Sequence, residues 1–276
     1  MYAWRLVLPL SIIILVGSVN VARSQCSAAF AKEAKAGDSF HGRRSDTVEW
    51  LPAYLTDETH RLSQSFGLPA RAQVMDGAGA CINVDDTTVL VGRDLPGRVL
   101  VTMKQKLPLV MNRPEFRNRD TVVRAAIRYV VAHEFAHLFQ HARANAGDNI
   151  PVNEAAFELQ ADCIAGLWLG YDPSSTGFSG TPMIVATQVA AWVFGDEMGD
   201  FPTVGQPEHI DATGHSTGVK RTSCVTSGVG AGRAQRFGDP ATAFRDHAKE
   251  ILDWSAEGAQ HYLTPFEVQG LGTKPH

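Results

Sequence analysis

The feature that most constrains the fold is a long stretch of helical periodicity from Thr121 to about Ala144. Its apolar residues recur at spacings of three, four and seven, as on the buried stripe of an amphipathic helix. They are Val123, Ile127, Val130, Val131 and Leu138. Asn118 or Asp120 can cap the first turn, and the segment 146–149, Ala-Gly-Asp-Asn, can end the last one. The pattern predicts one long helix that packs along its apolar face.

Further helices are expected on both sides of this one. Pro151 is a favoured first-turn residue for a second helix that runs to about Tyr171. The other candidates are residues 28–36, 47–65, 181–195, 216–227 and 239–256. The chain after the long helix is therefore predicted to be mainly helical.

Four short β-rich runs lie between the early helices and the long one. They are residues 72–75, 81–84, 87–91 and 98–103, and Asp-Gly, Asp-Asp and Pro-Gly pairs divide them. The runs predict a small twisted antiparallel sheet, which together with the helical majority gives an α+β fold. We expect a single domain over residues 25–265, with mixed helix and sheet at 25–112, a mainly helical part at 113–265 and a loose tail at 266–276.

The first 24 residues have the layout of a secretory signal peptide. Arg5 precedes an apolar run from Leu6 to Val16, and the small residues Ala22 and Ser24 precede a cleavage site at Gln25. We therefore expect a secreted or periplasmic protein. The alternative is an uncleaved membrane anchor, the one case in which a membrane partner is expected. A net charge of −4 and a pI near 6.2 argue against a nucleic-acid partner.

The predicted long helix carries the run His133-Glu134-Phe135-Ala136-His137. Two histidines four residues apart lie about 40° apart around a helix, so both imidazoles project from one face. That arrangement suits the binding of one zinc ion by two nitrogens. Glu134 lies on the flank, where its carboxylate can reach a metal-bound water without being a ligand. The run therefore predicts a zinc hydrolase in which Glu134 is the general base.

A catalytic zinc ion needs a third protein ligand and an open fourth position. Glu154, Glu158 and Asp162 recur every four residues along the next predicted helix. Such a stripe is typical of a solvated helix face. The small and apolar residues around it favour close packing instead, and an unpaired carboxylate there would be costly. Spacing alone does not choose between Glu154 and Glu158.

Together with the segment 158–163, Glu-Leu-Gln-Ala-Asp-Cys, the histidine run resembles the gluzincins, especially a family of bacterial neutral zinc metallopeptidases. The resemblance covers roughly residues 97–225. It implies a zincin-like core in which Glu158 is the third ligand and Asp162 orients a ligand histidine. It also implies that residues 98–103 form the edge strand before the metal helix. A peptide substrate would add to that strand.

A later segment, from His215 through Ser216 and Thr217 to Arg221, is similar to another element of these families. By analogy, His215 or Arg221 would stabilise the oxyanion formed when a carbonyl is attacked. His209 is a further candidate for this role. The alternative is that the segment is a helix cap with an exposed histidine.

The chain has four cysteines, at positions 26, 81, 163 and 224. In an exported protein two disulfides are reasonable, and no Cys-x-x-Cys pair supports a thiolate zinc site. We expect the pairs Cys163–Cys224 and Cys26–Cys81, the first of which ties the ligand helix to the helix after His215. Buried free thiols are the alternative.

These patterns lead to the expectation of a zinc-dependent metalloendopeptidase that hydrolyses peptides or proteins. One alternative is an exported zinc-binding scaffold or interaction protein of the same fold without turnover. Another is a structural metal, which the flanking Glu134 disfavours because closed sites use four protein ligands.

Overall fold

The computed structural model describes residues 49–106, 111–112, 114–116, 118–148, 154–172, 218–234, 245–246, 248–249 and 251. In chain order its elements are α1 (Trp50–Phe66), β1 (Arg71–Met75), β2 (Ala80–Asn83), β3 (Thr88–Gly92), α2 (Leu95–Lys106), a 3₁₀ turn (Pro114–Phe116), α3 (Arg119–Asn145), α4 (Glu154–Tyr171) and α5 (Gly218–Ala234). The described part is helix-rich with one small sheet, which agrees with the α+β expectation. Within it, no helix is both long and apolar enough to cross a membrane.

Several expectations fall outside the described residues. They are the signal peptide and anchor of residues 1–24, the helices 28–36 and 181–195, most of the helix 239–256 and the tail 266–276. The helix expected at 216–227 is observed as α5, which begins at Gly218 and continues to Ala234.

The sheet is mixed, so the prediction of an antiparallel sheet is wrong for one of its two pairings. Its strand order is β1-β3-β2, with β3 parallel to β1 and antiparallel to β2. The loop between β1 and β2 crosses the end of β3, where Gly92 N donates to Gly79 O at 2.7 Å and Asp94 N donates to Gly77 O at 2.8 Å. A Cβ on Gly92 would lie 2.3 Å from Gly77 O, so glycine is required for this crossing. The crossing puts β1 and β2 on opposite sides of β3.

The strand expected at residues 98–103 is a helix, so that prediction is wrong. Leu95, Val99 and Met103 are spaced four apart in α2, and all three are fully buried. Pro96 lies in the first turn, where its missing N–H costs nothing. A short apolar run fits a buried helix face as well as a strand. Here the residues spaced four apart form the buried face of a helix. The peptide-binding edge inferred for this segment therefore does not exist as a strand.

Helix α3 confirms the expected long helix and is the central element of the fold. The side chain of Asn118 accepts a hydrogen bond from Thr121 N at 3.2 Å, which caps the first turn. The chain leaves the last turn through Ala146 and Gly147, whose φ is 94°. Between these ends α3 contacts α1, α2, α4, β2 and β3. Its position explains why both faces of its middle part are buried.

A buried ion cluster joins α1, α3 and the end of α4. Arg128 of α3 is 1% exposed and lies 3.2 Å from Glu58 of α1, atom Nε to Oε2. Its guanidinium also pairs with Asp172 and lies 4.7 Å from the centre of the Trp168 ring. Buried charges are costly unless they are paired, so removal of one partner of this cluster is expected to destabilise the contact among the three helices.

Helices α4 and α5 pack backbone to backbone. A Cβ added to Gly166 would lie 2.3 Å from Val225 O, and one added to Gly170 would lie 2.2 Å from Val229 O. Since real Cβ atoms essentially never approach an atom within 3.0 Å, only glycine allows this distance between the helices. Glycine at these positions therefore fixes how closely α5 lies against the helix that carries Glu158.

The expected disulfide between Cys163 and Cys224 is confirmed. It joins α4 to α5 with 4.6 Å between the two Cα atoms. Cys81 is also disulfide-bonded, and Cys26, its expected partner, lies outside the described residues. The Cys163–Cys224 disulfide and the glycine contacts both hold α4 against α5.

Candidate metal centre

Helices α3 and α4 bring His133, His137 and Glu158 together. The Nε2 atoms of the two histidines are 3.1 Å apart. The carboxylate of Glu158 reaches both of them, with Oε2 3.1 Å from Nε2 of His133 and Oε1 3.2 Å from Nε2 of His137. All three residues are buried or half-buried. Of the two glutamates that spacing left open, Glu158 is brought to the histidines, and the side chain of Glu154 lies outside what the structure describes.

These separations fit a single metal ion. Donors about 2.0–2.1 Å from a tetrahedral ion lie roughly 3.3–3.4 Å from one another. The three observed separations, 3.1, 3.1 and 3.2 Å, are close to that value. The three side chains therefore form a cluster that could hold a metal ion.

Asp162 lies behind His133, one turn along α4 from Glu158. Its Oδ1 is 2.8 Å from Nδ1 of His133. Tyr129 donates its hydroxyl proton to the same oxygen. Asp162 is fully buried, so its charge needs compensation.

Arg221 of α5 supplies that compensation. Its Nε donates to Oδ2 of Asp162 at 2.7 Å and its Nη2 to Oδ1 at 3.1 Å. Burial alone would raise the pKa of Asp162, but Arg221 and His133 hold it below its usual range. The guanidinium is 2% exposed and also lies 3.7 Å from Glu158. Arg221 therefore lies behind the cluster, where it contacts the carboxylates of Asp162 and Glu158.

His137 has a different partner, Gln140, which lies three residues further along α3. Oε1 of Gln140 is 2.8 Å from Nδ1 of His137. The ring of Phe157 stacks on the imidazole with centroids 4.9 Å apart and planes 15° apart. The sequence interpretation missed Gln140. Its spacing from His137 was the available signal, because residues three apart are neighbours on a helix surface.

Opposite charges within the site favour the ionised forms of Glu158 and His133. Burial alone would raise the pKa of Glu158, but His137 and His133 hold it well below its usual value. Burial opposes protonation of His133, yet Asp162 and Glu158 outweigh it and raise its pKa to about 10. A cation that binds here must displace a proton, so metal affinity is expected to depend on pH.

Glu134 is half-buried and lies next to His133 on α3. Burial raises the pKa of its carboxyl group, and the charges of His133 and His137 oppose that rise. Glu134 is not one of the three clustered residues.

His215 and His209, the two histidines considered for oxyanion stabilisation, lie outside the described residues. Comparisons of the chain with protein-family models, with curated proteins and with solved structures found no match. The likeness to gluzincins therefore rests on sequence alone, chiefly on the residues of α3 and α4 that carry the candidate ligands. The geometry of those helices shows a cluster of two histidines and one glutamate that could bind a metal ion.

Proposed function

We propose that this chain is a zinc-dependent metalloendopeptidase in which His133, His137 and Glu158 hold the ion and Glu134 is the general base. The observation that carries the proposal is the convergence of three donor groups, 3.1–3.2 Å apart. Glu134, which is half-buried and follows His133 on α3, is not among them. A metal that only stabilises the fold needs four protein ligands and no neighbouring base.

The donor set favours zinc over other common ions. Calcium and magnesium prefer sites made only of oxygen ligands, whereas two imidazoles and one carboxylate suit zinc. The same donors also occur in iron(II) oxygenases. The neighbouring Glu134 favours hydrolysis, because attack by water needs a group that accepts a proton.

Zinc at this site would lower the pKa of a bound water towards about 7 and polarise the carbonyl to be cleaved. Glu134 accepts the proton that the attacking water loses and delivers it to the nitrogen of the leaving amine. Its partial burial raises the pKa of the carboxyl group, which makes the carboxylate a stronger base for accepting that proton. Asp162, held by Arg221, orients His133.

His215 remains the proposed oxyanion-stabilising residue. Arg221 is less suited to that role, because its guanidinium is engaged by Asp162 and buried. The proposed substrate is a peptide or protein met after export, since the N-terminal sequence has the layout of a signal peptide.

The test is incubation of the purified full chain with a mixed peptide library, with and without a chelator. The proposal expects cleavage that the chelator abolishes and that added zinc restores. A protein that holds zinc but cleaves no peptide would instead support the exported zinc-binding scaffold. Restoration by iron(II) and oxygen rather than by zinc would contradict the choice of metal.

A further inference from the structure

Gln140 is a fully buried polar residue at the contact between the two ligand helices. Its side-chain amide has three neighbours. Oε1 lies 2.8 Å from Nδ1 of His137, and Nε2 donates to Phe157 O at 2.9 Å and to Oε1 of Gln160 at 3.1 Å. One side chain therefore contacts a ligand histidine and the backbone of the residue just before Glu158.

The orientation of this amide follows from its neighbours. A backbone carbonyl such as that of Phe157 can only accept a hydrogen bond, so the NH₂ end of Gln140 must face it. The oxygen end then faces His137, whose Nδ1 must carry the proton. A neutral imidazole with its proton on Nδ1 has its lone pair on Nε2, the atom that faces Glu158 and His133.

The neutral charge of Gln140 also fits its surroundings. Asp162, which stands behind the other histidine, has Arg221 as its counter-ion. The two acceptors around Nε2 of Gln140 are oxygen atoms, which would repel a carboxylate at this position. An amide can accept from His137 and still donate to both oxygens.

We propose that Gln140 is a positioning residue of the metal site. It holds His137 with its Nε2 unprotonated and aimed at the ion, and it sets the position of Glu158 through the carbonyl of Phe157. This inference rests on metal binding at the proposed site and does not depend on peptide hydrolysis.

The test compares Gln140→Met with Gln160→Met in the full chain. Both glutamines are buried and joined by one hydrogen bond, but the bond to His137 comes from Gln140. We expect the zinc dissociation constant of Gln140→Met to rise about 10–100-fold, as is typical for the partners of metal ligands. The zinc dissociation constant of Gln160→Met should stay within about threefold of the wild-type value, because the contact with His137 is made by Gln140. The unfolding midpoints of both metal-free variants should fall, because each change leaves a buried polar partner unsatisfied.

Two further readouts separate positioning from stability. The cobalt(II) absorption spectrum should change in Gln140→Met and remain unchanged in Gln160→Met, because it reports ligand geometry. In the zinc-loaded wild type, long-range ¹H–¹⁵N spectra should show the His137 proton on Nδ1, a result that needs no variant to fold.

The outcomes distinguish this inference from the proposed function. A wild type that binds no zinc would overturn both. Zinc binding with equal affinity in Gln140→Met and the wild type, or an equal loss in both glutamine variants, would overturn the role of Gln140 alone. Zinc bound through Nδ1 of His137 would also overturn it.

Discussion

Alanine at two glycines of α5, Gly228 and Gly230, is predicted to change the free energy of unfolding in opposite directions. A Cβ on Gly228 would lie 2.3 Å from Cys163 O and 2.6 Å from Leu167 N, both backbone atoms of α4. A Cβ on Gly230 would have nothing within 4 Å. Gly228→Ala therefore forces the two helices apart, whereas Gly230→Ala adds a methyl group in open space.

The magnitudes follow from these distances. A steric conflict in a packed core costs about 1–3 kcal/mol, and the upper end applies here because backbone atoms cannot rotate away. Replacing glycine by alanine within a helix returns about 1 kcal/mol. We therefore expect Gly228→Ala to lower the free energy of unfolding by about 2 kcal/mol and Gly230→Ala to raise it by about 0.5–1 kcal/mol.

The assay is thermal unfolding of the metal-free protein, followed by zinc titration. For a protein of this size, 1 kcal/mol corresponds to roughly 2–4 °C in Tm, so Gly228→Ala should lose about 4–8 °C. Zinc affinity should fall as well, because α5 carries Arg221, which holds Asp162. Equal Tm shifts in the two variants, or a more stable Gly228→Ala, would refute the close packing of α4 and α5.

Two other changes test the supports of the site. Arg221→Met leaves Asp162 buried without its main counter-ion and should lower the free energy of unfolding by about 3 kcal/mol, which calorimetry measures. Adding Asp162→Asn removes the uncompensated charge and should recover part of this loss. If it recovers none, the pairing of the two residues does not account for the loss. Replacing Cys163 and Cys224 by alanine opens a link across 61 residues and should cost about 4 kcal/mol, measured by denaturant unfolding. An unchanged denaturation midpoint would contradict that estimate.

Local periodicity was sufficient to predict α3, the helix that carries His133 and His137. The spacing of Val123, Ile127 and Val130 and the Asn118 cap depend on neighbouring residues, and the structure has both the helix and the cap. Because His133 and His137 lie on one turn of that helix, their convergence followed from the same local rule. The part of the site that lies on a single helix could therefore be predicted from the sequence.

The rest depends on contacts between segments distant in the sequence. Spacing could not choose between Glu154 and Glu158, because the choice depends on how α4 lies against α3. The proposed role of Gln140 depends on its hydrogen bond to the carbonyl of Phe157, a contact between two helices that the sequence does not reveal. Apolar residues at 98–103 fitted a strand or a helix face, and the outcome depends on the packing of α2 against α3, since Val99 and Met103 are buried in the helix.

The sheet gives the same lesson about loops. The turn signal at Asp76-Gly77 was read correctly as a turn, but it did not reveal that the loop crosses over β3. Whether two strands pair depends on where the chain goes between them. The parallel pairing of β1 and β3 therefore could not be predicted from composition alone.

The most direct test of the central claim is the zinc content and the peptidase rate of Glu134→Gln, measured on one preparation. The account predicts that this variant binds one zinc ion per chain, as the wild type does, because His133, His137 and Glu158 are unchanged. It also predicts that peptide cleavage is lost, because no group accepts the proton of the attacking water. Full cleavage by a zinc-loaded Glu134→Gln, or loss of zinc from it, would contradict the assignment of ligands and base.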